Sequence, residues 1–247
     1  GLGAAYRLAP HAEVTLFEAE PRFGGHAHTV DVALDGVTHG VDIAFLSLNA
    51  RTYPLLLALF EELEVDVAPA PLSFSVRVPG EDLEWAGPGL NALFSQRRNL
   101  LRPRFWRMLK DVLRFNRMAS ALACDGRDAE LRESAGGFLH RHGFSASFRD
   151  WYFLPMVGSL WNCPTEQVLR FPIATLIRYC HNHGLIDAST RQPWCTVPGG
   201  SRRYVEKIVA AVRATGGEAW AGTPVLSVRR ETECVVLRSS RGQERFD

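Results

Sequence analysis

The chain has 247 residues, 46% of them hydrophobic and 22% charged, with a formal net charge of +1. That composition excludes disorder and allows one large or two modest domains. Near-neutrality excludes a bulk electrostatic pull toward nucleic acid or an anionic membrane. Five scattered cysteines (Cys124, Cys163, Cys180, Cys195 and Cys234) form no C-x-x-C pair. They point away from a disulfide framework or structural zinc and toward a reducing cytoplasm. No apolar run reaches the roughly 18 residues of a membrane span.

In chain order, Leu2 to Leu8 carries small and apolar residues suited to a helix on a sheet, and Pro10 ends it. Val14 to Phe17 is a short apolar run closed by Glu18, read as a buried parallel strand. Thr29–Leu34 and Val37–Ile43, divided by Asp35-Gly36, spell a hairpin. Leu55, Leu56, Leu59, Phe60 and Leu63 recur at helical spacing. Leu72–Val78 and Leu83–Trp85 follow as strands around Pro79-Gly80. The stripe Phe105, Trp106, Leu109, Val112, Leu113 and Met118 predicts a helix over 103–122. Further helices are expected over 137–143, 145–160 and 173–182. Strand character returns near Thr196-Val197, then Pro198-Gly199-Gly200-Ser201 leads into a helix over 204–215 that Gly216-Gly217 ends. Val225–Val228, Cys234–Leu237 and Glu244 onward read as a meander.

The chemistry-bearing stretch is the first twenty-five residues. A glycine turn entering a helix lets backbone approach a pyrophosphate, which the helix N-terminus favours. If Gly1 is the third glycine of a G-x-G-x-x-G turn, Glu18 stands about twenty residues past the first, where an acid accepts from ribose hydroxyls. The strand and first two glycines of that turn would lie outside the sequence. A second glycine turn follows as Arg22-x-Gly24-Gly25, suited to close backbone approach along a long cofactor, which favours FAD over NAD.

With that continuation, Glu18-x-x-x-Arg22-x-Gly24-Gly25-x-x-x-Thr29, the sequence resembles the flavin-containing amine oxidase superfamily, which includes phytoene desaturases and protoporphyrinogen oxidases. It departs at His26, where the superfamily usually has arginine, and at Ala44, where Val41-Asp42-Ile43-Ala44-Phe45 is similar to its D-x-G element beside the flavin. Pro198-Gly199-Gly200 resembles its second-half glycine pair. Thr223 to Asp247 resembles the hairpin returning to the cofactor, where a valine at Val225 would meet adenine. More narrowly, Arg51-Thr-Tyr-Pro, Leu83-Glu-Trp-Ala-Gly and Val197-Pro-Gly-Gly-Ser-Arg-Arg-Tyr resemble bacterial predicted NAD/FAD-binding proteins.

The resemblance implies an α/β, Rossmann-like FAD-binding domain, discontinuous (1–48 and 191–247), around a largely helical substrate domain (49–190), in a fragment lacking both ends. It implies FAD held by Gly1, Glu18, Ala19, Arg22, Gly24, Gly25, His26, Phe45 and Val225. The implied function is an FAD-dependent oxidoreductase taking a hydride from an apolar, lipid- or isoprenoid-like small molecule to flavin N5. A non-catalytic flavin- or dinucleotide-binding protein is the alternative. The superfamily's amine oxidases use a lysine near the flavin, and Lys110 and Lys207 are the lysines here, each in a predicted helix. No metal is expected: the pairs His26/His28, His140/His142 and His181/His183 have no carboxylate or cysteine at ligand spacing. A nucleic-acid partner is not expected, and no catalytic acid or base is identified.

Overall fold

The computed structural model describes residues 1–44, 47–70, 73–87, 89–127, 131–161, 163–186 and 193–247. In chain order its elements are α1 (Leu2–Leu8), β1 (Thr15–Phe17), β2 (Thr29–Leu34), β3 (Val37–Asp42), α2 (Pro54–Glu62), β4 (Ala68–Pro69), β5 (Phe74–Val78), β6 (Leu83–Gly87), α3 (Leu90–Leu93) and α4 (Pro103–Cys124). They continue with α5 (Ala135–Arg141), α6 (Ala146–Phe148), α7 (Leu154–Trp161), α8 (Thr165–Val168), α9 (Ile173–Asn182), β7 (Cys195–Thr196), α10 (Arg202–Ala214), β8 (Glu218–Trp220), β9 (Val225–Arg230), β10 (Val235–Ser239) and β11 (Gly242–Phe246). They form two compact units, Gly1–Asn49 with Tyr53–Ala70 and Trp194–Asp247, and Ala50–Thr52 with Pro71–Pro193.

In the first unit β1 and β8 pair in parallel, Thr15 opposite Glu218 and Phe17 opposite Trp220. Ala5 and Ala9 of the α1 segment meet Val212 of α10 in a small buried cluster beside Val14 and Leu16. The sequence reading missed β8. Its Glu-Ala-Trp is too short for periodicity, and only the parallel partner defines it as strand. Gly217 brings it in close: a Cβ there would stand 2.8 Å from Val212 O and 3.0 Å from Val14 O. The hairpin β2–β3 turns through Asp35 (φ 50°) and Gly36 (φ 78°), the two left-handed residues of the tight turn its Asp-Gly predicts. β9, β10 and β11 form the expected antiparallel meander.

The main core of this unit joins Leu48, Leu59, Phe60, Val197, Tyr204, Val205 and Ile208. Helix α2, which falls within the middle segment 49–190 of the sequence reading, packs in this first unit, because Leu59 and Phe60 bury against α10. Pro54 starts α2 at a position where a missing N–H costs nothing. Lys207 closes it, donating from Nζ to Leu63 O and Glu64 O at 2.7 Å each.

In the second unit, α4 buries Phe105, Met108, Asp111, Phe115 and Ala119, one stripe at three- to four-residue spacing. Its flanks serve two clusters. Phe115 joins Phe138, Phe148, Phe153, Ile173 and Leu176; Phe105 and Met108 join Val76, Leu83 and Trp85 of the β5–β6 hairpin, together with Trp151. The continuous helix expected over 145–160 is instead α6, a wide turn at Arg149–Phe153 with i→i+5 character, and α7. There Trp151 serves one cluster and Phe148 and Phe153 the other. The wide turn thus lies where the segment passes between the two clusters, and such single-turn widenings occur inside otherwise α-helical stretches. Ser134 and Ser145 cap α5 and α6 through their hydroxyls. Among the described residues, no helix is long and apolar enough to cross a membrane.

Candidate functional site

The described site residues all lie in the first unit, and Glu18 meets the segment leading into β9 at the carboxyl end of β1, where open α/β sheets place ligands. Gly1 stands at the start of α1, and a Cβ there would meet only Leu16 Cδ1, at 3.9 Å. Glu18 follows β1 directly. Its backbone N–H donates to Trp220 O at 2.9 Å, and its carbonyl accepts from Thr223 N at 2.8 Å. Gly222 N donates to Glu20 O at 2.8 Å, lacing the two chain segments together. Val225, two residues beyond Thr223, opens β9 and is 41% exposed. The structure therefore brings Glu18 and the Val225 segment together across the chain. The Glu18 carboxylate accepts from Glu20 N through Oε1 at 3.0 Å, leaving Oε2 uncommitted, and Ala19 beside it is exposed.

The second glycine turn is held by its own arginine. Arg22 Nη2 donates to Gly25 O at 3.0 Å, and Ala27 N donates to Gly24 O at 3.0 Å. Gly24 (φ 120°) and Gly25 (φ 57°) adopt backbone that side chains disfavour. At Gly24 the reason is internal, since a Cβ would stand 2.4 Å from Ala27 O. At Gly25 it is openness: nothing lies within 4 Å of that Cβ position, and Gly25 and His26 are both exposed. Among the described residues, Arg22 Nη1 is buried with no hydrogen-bond partner. Phe45 lies outside the described residues.

A further constellation escaped the sequence reading as a unit. The Asp42 carboxylate, at the end of β3, accepts from Ser201 N at 2.9 and 3.0 Å and from Ser201 Oγ at 2.7 Å. It also accepts from Thr29 Oγ1 at 2.5 Å, and that oxygen in turn accepts from Arg202 N at 3.0 Å. Asp42 and Thr29 thus cap the start of α10, where Ser201 makes no side-chain cap of its own. Glycines make this approach possible: a Cβ on Gly200 (φ 92°) would stand 2.3 Å from Thr29 Cγ2, and one on Gly40 2.7 Å from Gly199 O. The signal was present in pieces, as an aspartate closing a strand and a Gly-Gly-Ser opening a helix. Their pairing was not readable locally. Burial, with the Asp42 charge adding to it, pushes the nearby Tyr204 phenol up to about 12.

Other sequence candidates separate from this site. Lys207 is spent on the end of α2. His140 sits in the last turn of α5 and His142 caps its end, while His181 and His183 take the same places on α9. Among the described residues, no group of three or more histidine, cysteine, aspartate or glutamate side chains is placed to hold a metal ion. A cleft of ≈ 450 Å³ lies between the 22–29 segment and α10, lined by Arg22, Phe23, Thr29, Val205, Val209 and Arg213 among others. Neither Glu18 nor Gly25 nor Val225 lines it.

The residues present fit an extended dinucleotide on three observations. An acid with a free carboxylate oxygen ends the parallel strand, an open glycine lies a few residues on, and a buried guanidinium nitrogen lacks a partner. Glu18, Gly25 and Arg22 would be the holding groups.

Comparison with known proteins bears on the fold and the family. The chain resembles, over nearly its whole length, the solved structure of putrescine oxidase bound to putrescine (15% identity, TM-score 0.65, 99% of this chain and 53% of that one). Cyclohexylamine oxidase from Brevibacterium oxydans is similar (18% identity, TM-score 0.67, 99% and 53%). So is an oxidoreductase from Methanosarcina mazei (16% identity, TM-score 0.59, 100% and 55%). At these identities the likeness shows the fold, and the chain spans about half the length of these structures. No curated protein sequence is significantly similar to it. The family model for flavin-containing amine oxidoreductases matches residues 1–247. With a Rossmann-like FAD-binding fold and a family match across its whole length, the chain belongs to the flavin-containing amine oxidoreductase family, whose cofactor is a flavin.

Proposed function

We propose that this chain carries the adenosine- and pyrophosphate-proximal part of an FAD site in an FAD-dependent oxidoreductase, and that its second unit belongs to the substrate domain. The observation that carries this reading is the lacing of Glu18 to the 220–223 segment at the end of a parallel strand. The acid thus lies beside the segment that leads into β9, with the glycine turn a few residues further along the chain, and this supports the reading. Glu18 would accept from the ribose hydroxyls through its uncommitted Oε2. Arg22 would hold the turn through Gly25 O while its buried Nη1 finds an acceptor. Gly25 leaves room for backbone approach. Asp42 and Thr29 keep the start of α10 fixed against β2–β3. When bound, the flavin would supply a two-electron acceptor that the amino acids lack.

The substrate we propose is apolar and lipid- or isoprenoid-like. Two features support it. Lys207 is committed to the backbone carbonyls of Leu63 and Glu64 just past α2, so this lysine is not free for the chemistry of amine oxidation. The second unit also holds a half-buried aromatic group, Trp161 with Phe171 at 6.0 Å and Tyr179 at 4.5 Å between ring centroids.

The test is extraction. Expressed with the flanking segments that complete the site, the purified protein should be yellow and release FAD on denaturation, and anaerobic addition of an apolar substrate should bleach the flavin where simple amines do not. A folded, flavin-free protein refutes the cofactor assignment. A holoprotein bleached by amines alone refutes the substrate class, and one that no substrate bleaches refutes catalysis.

A further inference from the structure

The near-zero net charge hides a local asymmetry. Residues 97–110 hold six basic side chains (Arg97, Arg98, Arg102, Arg104, Arg107 and Lys110) and no acidic one. Asp82 pairs with Arg98 and Glu81 with Arg104. Among the described residues, Arg97, Arg107 and Lys110 have no ion-pair partner, and all three are exposed. The next acid along the chain, Asp111, does not neutralise them. It is buried, and it accepts from Ser145 N while pairing with Arg114.

Apolar groups that the fold does not need outside stand among these charges. Leu101 is 86% exposed, Leu100 45% and Trp106 49%. Hydrogen bonds fix the backbone around them. Asn99, fully buried, donates to Glu84 O at 2.8 Å, and Arg98 and Arg102 both donate to Asp82 O. Trp106 Nε1 donates to Leu100 O at 2.9 Å, and its ring leans on the buried Phe94 at 5.4 Å. The pattern continues along α4. Trp106, Lys110, Leu113 and Arg117 recur every three or four residues on its exposed side, opposite the stripe that buries Phe105, Met108 and Phe115.

An apolar knob ringed by unpaired cations, at the head of a helix whose outer face alternates apolar and basic groups, matches a helix lying in the plane of a lipid interface. Solvated cations at exposed positions would serve solubility without leucines and a tryptophan beside them. The tryptophan suits the headgroup level, where its ring is amphipathic. We propose that the Arg97–Arg117 face docks the protein peripherally on an anionic lipid surface. The occupant is set by charge complementarity. A neutral or cationic surface would leave Arg97, Arg107 and Lys110 unmatched, and a soluble polyanion would leave Leu100, Leu101 and Trp106 in water.

The test is co-sedimentation of the full chain with vesicles of phosphatidylcholine alone and of phosphatidylcholine mixed with phosphatidylglycerol. Binding is expected on the anionic vesicles only, weakening as salt is raised. Neutralising Arg107→Gln and Lys110→Gln together should weaken it by about 25-fold, roughly fivefold for each cation lost. Leu101→Glu should weaken it by about tenfold or more. Since Leu101 is nearly free of the fold, its variant should keep the wild-type circular dichroism and urea midpoint. No binding to anionic vesicles overturns the proposal. So does binding that ignores Leu101→Glu and is matched by heparin, which would mark a general polyanion surface.

Discussion

The contact between the Gly199-Gly200 turn and Thr29 gives the sharpest test of how the first unit is held. Gly200→Ala forces a side chain into φ 92° and places its Cβ 2.3 Å from Thr29 Cγ2 and 2.5 Å from Thr29 Oγ1. The backbone term is about 1–3 kcal/mol. Thr29 cannot yield freely, because its hydroxyl donates to Asp42 and accepts from Arg202 N. Pushing it aside loses one bond to a charged group, about 1.5–3 kcal/mol, and one ordinary bond, about 0.5–1.5 kcal/mol. The sum is about 3–5 kcal/mol, allowing for water entering this half-buried site. Because the chain has two units, a global melt is a poor reporter. Amide hydrogen exchange over residues 202–214 reads α10 directly, and exchange there should accelerate at least about 100-fold. Thr29→Ala removes the two atoms at 2.3 and 2.5 Å and leaves its Cβ at 3.0 Å. Combined with Gly200→Ala, it should therefore cost less than the two single changes summed, by about 1 kcal/mol or more. Additivity within about 0.5 kcal/mol would refute the clash, and unchanged exchange in the single variant would refute the capping role.

Two other outcomes are expected. Glu18→Ala should weaken FAD binding by about 10- to 100-fold, the worth of hydrogen bonds to a charged group, while leaving α10 exchange unchanged, as isothermal titration and mass spectrometry would show. His142 carries a pKa lowered below its usual 6.5, first by burial and then by the nearby Arg141 guanidinium. Its neutral form is therefore favoured by folding, and its contribution is full above pH 6.5 and lost as pH falls through the lowered folded value. Urea midpoints for the second unit should fall over that window in the wild type, and more shallowly in His142→Gln.

Much of the first unit was legible because its signals are local. Asp35-Gly36 specifies a tight hairpin turn, Gly216-Gly217 a helix end, and Arg22-x-Gly24-Gly25 a turn with two left-handed residues. The apolar stripes of α4 and α10 announce one buried face each. The wide turn at Arg149–Phe153 was not legible, because the apolar residues on either side of it continue at helical spacing and which cluster each ring joins is decided by distant segments.

Spacing along the chain, then, was sufficient for the glycine turns, the acid after β1 and the helical stripes, since each depends on residues within a few positions. Tertiary structure was needed for the rest. The three-residue β8 becomes a strand only beside β1. Helix α2 joins the first unit only because Phe60 packs against Tyr204, ring centroids 5.0 Å apart. Asp42 caps a helix whose N-cap residue, Ser201, lies 159 residues later. A carboxylate's sequence neighbours say which backbone it ends, but the donors it satisfies are chosen by which distant segment the buried core brings within hydrogen-bond reach.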